Sequence, residues 1–334
     1  MDHFIVSGPP YEAGLRLGKE LRQGGRGPGV VPALAMTQEK RLFARRCEEI
    51  CAREFPEAVQ ELYGIADGLA LPREELTGRI FCIYNFPPFQ GCTCFAARSG
   101  GSALLGRNSD FMLELEGRCL SFLYRPATGF GFRGCATAPV QMEDGMNDCG
   151  LAVGLTFVWP VTKKPGLHAG LLVRCLLQKC RTVEEGIAAL KGLTISSSQT
   201  VTMADANGDM AVVECNAARV EVLRPCPGES FVGAVNDFRS AGMQPYAPGW
   251  EMMLSDQRYQ TLRRALAARP DCDAAFARSL LAGEQGFLCQ YDRALGADTL
   301  WSALYLPGLQ KAFLCEGNPS RSPFREVVDG GENK

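Results

Sequence analysis

Histidine is nearly absent from this chain of 334 residues, which contains only His3 and His168. A Ser-His-Asp or Cys-His catalytic site would have to use one of the two. We expect His3 to lie in a mobile terminus, and His168 to be a solvated loop residue because it follows the Lys163–Leu167 segment with its Pro-Gly pair. A nucleophilic site in this sequence is therefore expected to work without an imidazole base.

Long apolar runs and an excess of one charge are also missing. No stretch approaches about 18 uninterrupted apolar residues, so we expect no transmembrane helix and no membrane partner. Lys and Arg together number 35 against 37 Asp and Glu, a net charge of −2. Because there is no basic run, the chain lacks the electrostatic footprint of a nucleic-acid-binding protein, and we expect no such partner.

Signals for export, metal binding and phosphate binding are missing as well. The first ten residues have neither a basic nor an apolar segment, so we expect a cytoplasmic protein whose fifteen cysteines are free thiols. Cys92-Thr93-Cys94 and the pair Cys47 and Cys51 have no second pair at zinc-finger spacing. No phosphate-binding glycine motif is present. We therefore predict neither a metal nor a cofactor.

The composition, with 46% hydrophobic and 22% charged residues, is typical of a globular protein of one large or two ordinary domains. Apolar periodicity predicts helices at 11–23, 32–70 with a break at Phe55-Pro56, 169–180, 182–190, 255–268 and 272–282. Strands are predicted at 103–106, 119–124, 152–158, 199–205, 210–215, 220–223, 231–235, 300–306 and 311–315. Meandering strands with helices inserted in pairs indicate an α+β fold, with antiparallel sheets covered by helix layers.

One segment carries the residue types of a nucleophilic site. It opens with Gly91-Cys92, turns at Ser99-Gly100-Gly101, and continues into a strand that ends in Arg107-Asn108-Ser109-Asp110. A hairpin there would bring the arginine and the aspartate back beside the cysteine. Arginine stabilises a thiolate or anchors a carboxylate, and aspartate can hold a protonated amine. One remaining base is the α-amine of the nucleophile itself, which titrates near ~7.7–8.0 and would require cleavage before Cys92.

This segment resembles the start of the mature catalytic chain in N-terminal-nucleophile (Ntn) hydrolases of the penicillin acyltransferase (acyl-coenzyme A:6-aminopenicillanate acyltransferase) branch, which is related to the choloylglycine (bile-salt) hydrolases. In that branch a Cys-Thr pair is followed by a Gly-Arg/Gln-Asn-x-Asp motif at nearly the same spacing, here 18 residues from Cys92 to Asp110. Further segments resemble the branch in the same order: Gly8–Gly14, Phe55–Gly68, Asp144–Leu151, Ala234–Phe238, Thr299–Ala303 and Gly317–Pro319.

The resemblance implies roles for three residues of the segment. Cys92 would be the nucleophile; Cys94 is the rival, but the spacing to Asp110 favours Cys92. Asp110 would bind the freed α-amine. Arg107 would flank the thiolate or the polar end of the substrate. The alternatives are that Cys92 is an inert buried cysteine, that Asp110 caps a turn, and that Arg107 forms a surface salt bridge.

Three further site residues are also implied by the resemblance. Asn147 and Asn236 would line the oxyanion site, since a carboxamide is a neutral and fixed donor, and we favour Asn236. Arg258 resembles the active-site arginine that bile-salt hydrolases place in a Ser-x-Arg-Phe segment. The alternatives are turn residues for the asparagines and a solvated helix face for Arg258.

The fold implied by the resemblance is a four-layer αββα sandwich of two antiparallel sheets between helix layers. Residues 1–91 would form a helical pro-segment that can stay packed after autocatalytic cleavage at Gly91–Cys92, as in a zymogen, and residues 92–334 would form the catalytic domain. Glycine before the nucleophile is expected to allow a strained turn there.

We expect a cysteine-nucleophile amidase that acts on a small amide with an apolar acyl part through a thioester. The alternatives are an acyltransferase that moves the acyl group to an amine, a peptidase that acts only on itself, and a non-catalytic binding protein with the retained fold. The sequence leaves the oligomeric state open, with a homo-oligomer as one alternative.

Overall fold

The computed structural model describes residues 1–31, 34–86 and 90–328, in which eight helices and fourteen strands alternate in groups. The helices are α1 (Pro10–Gln23), α2 (Gln38–Glu54), α3 (Pro56–Leu69), α4 (Arg73–Cys82), α5 (Ala169–Lys179), α6 (Val183–Gly192), α7 (Ser255–Ala267) and α8 (Ala274–Leu281). The strands are β1 (Asp2–Gly8), β2 (Gln90–Ser99), β3 (Ser102–Met112), β4 (Leu120–Pro126), β5 (Phe132–Ala136), β6 (Asp144–Asn147), β7 (Leu151–Phe157), β8 (Gln199–Asp205), β9 (Met210–Cys215), β10 (Val220–Leu223), β11 (Phe231–Ala234), β12 (Ala297–Leu306), β13 (Lys311–Glu316) and β14 (Arg325–Glu326).

The strands form two sheets. The large sheet has the order β1-β4-β5-β6-β7-β8-β9-β10, and the small sheet has the order β11-β2-β3-β12-β13-β14. All neighbours pair antiparallel except β1 and β4, which are parallel and lie at one edge of the large sheet. The prediction of two antiparallel sheets is therefore confirmed apart from this edge pair.

Three apolar cores separate four layers. The first core joins the large sheet to α1–α6 and includes Leu62 of α3. The second lies between the sheets and includes Cys94 of β2 and Ala152 of β7. The third joins the small sheet to α7 and α8 and includes Phe95 of β2 with Leu280 of α8. Neighbouring residues of β2 thus face different cores, as strand alternation requires, and the layers form the predicted αββα sandwich.

Most predicted elements are confirmed; the differences lie in the first 91 residues and at β5, β6 and β14, which the sequence did not predict. The strands predicted at 199–205, 210–215 and 220–223 coincide with β8, β9 and β10. The prediction of a helix over 32–70 is wrong at its start, because α2 begins after Thr37, whose hydroxyl accepts a hydrogen bond from the Lys40 amide at 3.3 Å. Pro32 and Ala33 lie outside the described residues. The predicted break at Phe55-Pro56 separates α2 from α3.

Strand β1 was not predicted from the sequence. It pairs with β4 along its whole length, from Asp2 opposite Leu120 to Gly8 opposite Pro126. The expectation that His3 lies in a mobile terminus is therefore wrong, and its Nε2 lies 3.0 Å from Glu316 Oε1.

Helices α1 and α3 cross at close backbone distance. A Cβ added to Gly14 of α1 would lie 2.1 Å from the Glu61 carbonyl oxygen, and one added to Gly64 of α3 would lie 2.1 Å from the Tyr11 carbonyl oxygen. Any larger residue at either position would push the helices apart. The first helices are therefore built as one tightly packed pair on the outer face of the large sheet.

The predicted hairpin is present and positions the candidate site. β2 and β3 pair so that Cys92 lies opposite Ser109, Cys94 opposite Arg107, and Gly91 opposite Asp110. Because directly opposed residues share a face, the side chains of Cys92 and Arg107 both lie between the sheets, whereas Asp110 lies on the other face, toward α7.

Candidate active site

The Cys92 thiol is buried between the sheets beside an arginine. Cys92 is only 1% exposed, and Arg107 donates a hydrogen bond from Nη2 to its Sγ at 3.0 Å. Burial raises the pKa of the Cys92 thiol to about 11, although the Arg107 charge opposes the rise. The thiol of the intact chain is therefore protonated at neutral pH, next to a cation that would stabilise its thiolate.

Two acidic residues hold Arg107 in place. Its Nη1 donates to Asp144 Oδ2 at 2.7 Å, its Nη2 to Glu143 Oε2 at 3.3 Å, and its Nε to the Leu155 carbonyl oxygen at 2.7 Å. Burial alone would lower the pKa of Arg107, but Cys92, Asp144 and Glu143 raise it well above its usual value. The guanidinium is therefore a fixed, permanently charged neighbour of the thiol.

Asn236 and Arg258 bind the backbone of Cys92. The Cys92 amide donates to Asn236 Oδ1 at 2.8 Å, and Arg258 Nη1 donates to the Cys92 carbonyl oxygen at 2.5 Å. Arg258 Nη2 also donates to Asn236 Oδ1 at 2.8 Å, and Asn236 Nδ2 donates to the Phe157 carbonyl oxygen at 2.8 Å. The backbone on both sides of the Cys92 side chain is thus held by two residues that come from distant parts of the chain.

Asp110 lies across the hairpin from Gly91 on the face toward α7. Its carboxylate accepts hydrogen bonds from Thr299 Oγ1 at 2.6 Å and from the Tyr291 hydroxyl at 2.9 Å, and Arg258 Nη1 lies 3.9 Å away. Burial raises the pKa of Asp110, and the Arg258 charge with these two hydrogen bonds opposes the rise. The structure therefore brings together Cys92, Arg107, Asp110, Asn236 and Arg258.

Asn147 does not belong to this group. Its Nδ2 donates to the Leu177 and Cys180 carbonyl oxygens at 2.9 and 2.7 Å, and its Oδ1 accepts from the Cys149 and Leu151 amides at 3.1 and 2.9 Å. Both donors and both lone pairs of the carboxamide are thus used in a turn. The prediction that Asn147 lines an oxyanion site is wrong for this reason, and its alternative as a turn residue holds.

Cys94 and His168 have environments unlike that of a catalytic group. Cys94 Sγ packs against Gly154, where a Cβ added to the glycine would lie 2.7 Å from the sulfur. Burial raises the pKa of the Cys94 thiol to about 12. His168 is fully buried before α5, and burial lowers the pKa of its imidazole to about 3. The prediction of a solvated His168 is wrong, because the loop that carries it is covered by packed side chains.

Gly91 is extended rather than strained. It lies within β2, and a Cβ added there would lie 2.5 Å from Met253 Sδ. Met253 and Leu254 both have positive φ, 45° and 55°, directly before α7. The expectation of a strained turn at Gly91 is wrong; glycine is needed because Met253 approaches closely, and the strain lies in the covering segment.

Sequence reasoning missed several residues of the site. Glu143 and Asp144 hold Arg107, and Asp144 also accepts from Trp301 Nε1 and the Tyr305 hydroxyl at 2.8 and 2.6 Å. These two consecutive acids directly follow the uncharged stretch 134–142, a pattern that could have indicated a buried partner for an arginine. Tyr291 and Thr299, the partners of Asp110, carry no comparable pattern.

Metal-binding and membrane-spanning features were searched over the described residues. These ranges contain no group of three or more His, Cys, Asp or Glu side chains arranged to hold a metal ion. In the same part of the chain, no helix is long and apolar enough to cross a membrane.

Two solved structures have a similar arrangement of elements. An N-acylethanolamine-hydrolyzing acid amidase ortholog from Caenorhabditis elegans is 15% identical with a TM-score of 0.47, over 65% of this chain and 93% of that chain. A penicillin V acylase from Agrobacterium tumefaciens is 17% identical with a TM-score of 0.44, over 67% of this chain and 83% of that chain. No curated protein matches the sequence.

A family comparison matches most of the chain after the β2–β3 hairpin begins. Residues 97–321 match the family described as acyl-coenzyme A:6-aminopenicillanic acid acyl-transferase, in a stretch that begins after Cys92. The match spans more than half of the 334 residues and agrees with the resemblance predicted from the hairpin motif. The chain therefore belongs to the acyl-coenzyme A:6-aminopenicillanic acid acyl-transferase family and is an enzyme of the amidase and acyltransferase class.

Proposed function

We propose that the protein is an amidase that uses Cys92 to form a thioester with the acyl half of a small amide. One observation carries the proposal: the Cys92 Sγ accepts a hydrogen bond from Arg107 at 3.0 Å while the Cys92 nitrogen lies 2.8 Å from Asn236 Oδ1. A thiolate at this position would be stabilised by the guanidinium, and an amine at the position of the nitrogen would be held by the carboxamide.

Maturation supplies the amine. In the first step Sγ attacks the Gly91 carbonyl carbon, the C–N bond to Cys92 breaks, and the thiol proton passes to the departing nitrogen. Water then hydrolyses the resulting thioester, which leaves Gly91 with a carboxylate and Cys92 with a free α-amine. Residues 1–91 become the pro-segment, and residues 92–334 become the catalytic domain.

Turnover repeats the same chemistry on a substrate. The α-amine, with a pKa near ~7.7–8.0, takes the thiol proton at neutral pH, which the buried imidazole of His168 with its pKa of about 3 would not do. The thiolate attacks the amide carbonyl, and the second N–H of Asn236 Nδ2 donates to the oxyanion. The α-ammonium returns its proton to the leaving amine, and water attacks the thioester to release the acid. Asp110 balances the charge of the α-ammonium, and Arg258 positions Asn236 and the Cys92 carbonyl.

Acyl transfer is the second candidate function. The family description names transfer of an acyl group from a coenzyme A thioester to an amine. Transfer and hydrolysis share the Cys92 thioester and differ only in whether an amine or water attacks it. Product analysis with and without an added amine separates them, because a transferase makes a new amide and an amidase makes the free acid in both cases.

Denaturing mass spectrometry of the purified protein tests the proposal. We expect two fragments that break between Gly91 and Cys92, an uncut and inactive chain for Cys92→Ala, and normal cleavage for Cys94→Ala as the matched control on the same strand. An active preparation that consists wholly of the intact chain would refute the amine as base. Cleavage in Cys92→Ala would refute Cys92 as the nucleophile.

Substrate class is tested with an unbiased panel of N-acyl amides, β-lactams, thioesters, sugars, phosphate esters and nucleotides. We expect a small amide with an apolar acyl part to be the best substrate, with activity that depends on Cys92. A sugar, a phosphate ester or a nucleotide as the best substrate would contradict the proposal. No turnover of any compound, with Cys92 alkylated no faster than the other buried thiols, would favour a binding protein that retains the fold.

A further inference from the structure

A group of buried side chains next to the site carries polar atoms that no hydrogen bond satisfies within the described residues. It consists of Tyr84, Asn85, Gln141, His168 and Ser198, and none of the five is more than 2% exposed. Within the described residues, no hydrogen bond satisfies the Tyr84 hydroxyl, Asn85 Oδ1, either amide atom of Gln141, either ring nitrogen of His168 or the Ser198 hydroxyl. Buried polar atoms in folded proteins are almost always hydrogen-bonded, so a concentration of unpartnered ones indicates a place for a ligand or water. We call it the Tyr84–His168 cluster.

The members of the cluster come from four separate segments that contacts bring close together. The Tyr84 ring stacks on the His168 ring, with centroids 5.1 Å apart and an angle of 25°. Asn85 Nδ2 donates to Ser196 Oγ at 3.1 Å, close in sequence to Ser198. The Gln141 side chain packs against the first turn of α5, directly after His168, where a Cβ on Gly170 would lie 2.8 Å from it.

A short series of contacts joins the cluster to the nucleophile. The Tyr84 ring lies 6.3 Å from the Phe157 ring at the end of β7. The Phe157 carbonyl oxygen accepts from Asn236 Nδ2 at 2.8 Å, and Asn236 Oδ1 accepts from the Cys92 nitrogen at 2.8 Å. Gln141 also comes two residues before Glu143, which binds the arginine next to the thiol. These contacts place the cluster close to the position that the scissile amide would take beside Cys92.

The cluster offers hydrogen bonds but no free charge. Burial keeps the imidazole of His168 neutral, because it lowers the pKa to about 3, and burial with the neighbouring Glu143 charge raises the pKa of the Tyr84 phenol well above its usual value. The nearby cation, Arg107, is already paired with Glu143 and Asp144. A carboxylate or an ammonium group would be desolvated here without a counter-charge, whereas a hydroxyl, carbonyl or carboxamide would find both donors and acceptors.

We infer that the Tyr84–His168 cluster is a subsite for an uncharged hydrogen-bonding group carried by the substrate next to its scissile amide. The inference rests on the proposed function for the position of the scissile amide. Tyr84 lies before the proposed cleavage site, so the N-terminal fragment supplies part of the substrate site and must remain bound in the active enzyme.

Alkylation of Cys92 tests the subsite without any turnover. Iodoacetamide carries a neutral carboxamide, whereas iodoacetate carries a carboxylate. Peptide mass spectrometry measures the rate at which each reagent labels Cys92 in the purified protein, and the ratio is the iodoacetamide rate divided by the iodoacetate rate. We expect the ratio of the two rates to exceed that for free cysteine by roughly 10- to 100-fold, the selectivity of a site built for a hydrogen-bonding group. Tyr84→Phe should bring the ratio close to that of free cysteine.

Tyr63→Phe is the matched control, because its hydroxyl belongs to the same N-terminal segment and donates to Glu48 instead. It should retain the ratio of the wild type. The melting temperature of Tyr84→Phe is measured alongside, so that a loss of selectivity without a loss of stability distinguishes a ligand-binding role from a purely structural one. An unchanged ratio in Tyr84→Phe, or a Cys92 that neither reagent reaches, would overturn the inference.

The second measurement compares kcat/KM for pairs of amides that differ in one group, a hydroxyl in one and a methyl in the other. The difference is placed first on the amine half of the amide and then on the acyl half. We expect one half to show a preference of roughly tenfold or more in kcat/KM for the hydroxyl, and Tyr84→Phe to remove it. Cys92-dependent hydrolysis without such a preference on either half would overturn the subsite and leave the amidase function standing. Selective labelling without hydrolysis of any amide would leave the subsite standing and overturn the amidase function.

Discussion

Asn236 differs from Asn147 in how its carboxamide is used, although both are buried. Within the described residues, Asn236 Nδ2 donates one hydrogen bond, to the Phe157 carbonyl oxygen, whereas Asn147 Nδ2 donates two, to the Leu177 and Cys180 carbonyl oxygens. An oxyanion site requires an N–H donor next to the attacking atom that is not already used in the fold. The two asparagines therefore differ in one N–H, which Asn236 has available beside Cys92.

The first prediction compares alanine substitutions of these two asparagines. Asn236→Ala should lower kcat by about 10²–10³-fold, the usual effect of removing one oxyanion donor, without unfolding the protein. Asn147→Ala removes four hydrogen bonds of a turn and should lower the free energy of unfolding by at least about 1–3 kcal/mol, with kcat per folded and cleaved molecule within roughly twofold of wild type. Unchanged turnover in Asn236→Ala, or the larger kinetic defect in Asn147→Ala, would reverse the assignment.

The second prediction concerns the pH dependence of stability that His168 confers. Its pKa is about 3 in the folded chain and near ~6.5 when unfolded, so between these values only the unfolded state binds the proton. Stability is therefore lost as the pH falls below ~6.5, by about 1.4 kcal/mol per pH unit for this group. Urea unfolding of the uncut Cys92→Ala chain at pH 7 and pH 5 should show this loss.

His168→Gln in the same Cys92→Ala chain should reduce that loss by about 2 kcal/mol between pH 6.5 and pH 5. His3→Gln is the matched control, since His3 is the only other histidine and lies at the exposed edge of the large sheet, and the loss should persist in it. The same pH dependence in all three chains would show that His168 is not kept neutral by burial.

Sequence reasoning predicted the residues of one hairpin better than their partners. Arg107 and Asp110 could be placed near Cys92 because a short turn fixes the register of β2 and β3. Glu143 and Tyr291 reach the same group only through the packing of the two sheets and of the loop before β12, and no local pattern encodes that packing. The prediction of Asn147 as a site residue rested on its motif alone. In the structure its side chain forms the local hydrogen bonds of a turn instead.

At the scale of elements, three strands missed from the sequence contain close-packed glycines (β5 and β6) or pair far along the chain (β1). β5 and β6 pair so closely that a Cβ on Gly134 would lie 2.0 Å from the Asp144 carbonyl oxygen. Glycine is required there but lowers strand propensity, so the pattern did not indicate strands. β1 pairs with β4 across more than a hundred residues, a partner that local periodicity does not reveal.

The segment before α7 covers the proposed cleavage site. Met253 Sδ packs on Gly91, and the carbonyl oxygen of Met253 accepts a hydrogen bond from Arg258 Nε at 2.9 Å. A side chain at position 91 would displace the segment and with it the arginine that holds the Cys92 carbonyl. This segment thus couples the space around the proposed cleavage site to the position of the Cys92 backbone.

The third prediction is that Gly91→Ala slows cleavage by about tenfold or more, because overpacking of this kind typically costs about 1–3 kcal/mol. Gly91→Ala combined with Met253→Ala should restore much of the rate, since the shorter side chain leaves room for the added methyl group. Gly101→Ala, where an added Cβ meets nothing within 4 Å, is the control and should cleave normally. The time course of fragment formation measures all three. Failure of the double variant to recover would mean that glycine is needed for backbone conformation rather than for space.

At the scale of the whole molecule, the N-terminal segment is part of the sandwich rather than an appendage. β1 completes the edge of the large sheet, and the first helices share an apolar core with it. Arg174 of α5 donates to Glu61 of α3 at 2.8 Å inside this core, and the Tyr124 hydroxyl donates to the same carboxylate at 2.7 Å. Cleavage at Gly91–Cys92 would leave all of these contacts intact, so the fragments should co-purify.

The last prediction concerns what holds the two fragments together after cleavage. Two ion pairs connect α3 to α5: Glu61 with Arg174, whose side chains are 3% and 2% exposed, and Glu57 with Lys179, which lies at the surface with 3.2 Å between Oε2 and Nζ. Removing one partner of a buried pair leaves an uncompensated charge, whereas a surface pair contributes little. Glu61→Ala should therefore weaken the association of the fragments by about 3–5 kcal/mol, and Glu57→Ala by less than about 1 kcal/mol. The urea concentration at which fragment 1–91 separates from fragment 92–334 in size-exclusion chromatography measures both. Equal midpoints for the two variants would mean that the apolar core alone retains the segment, and loss of the segment from wild-type protein without urea would contradict its place in the active enzyme.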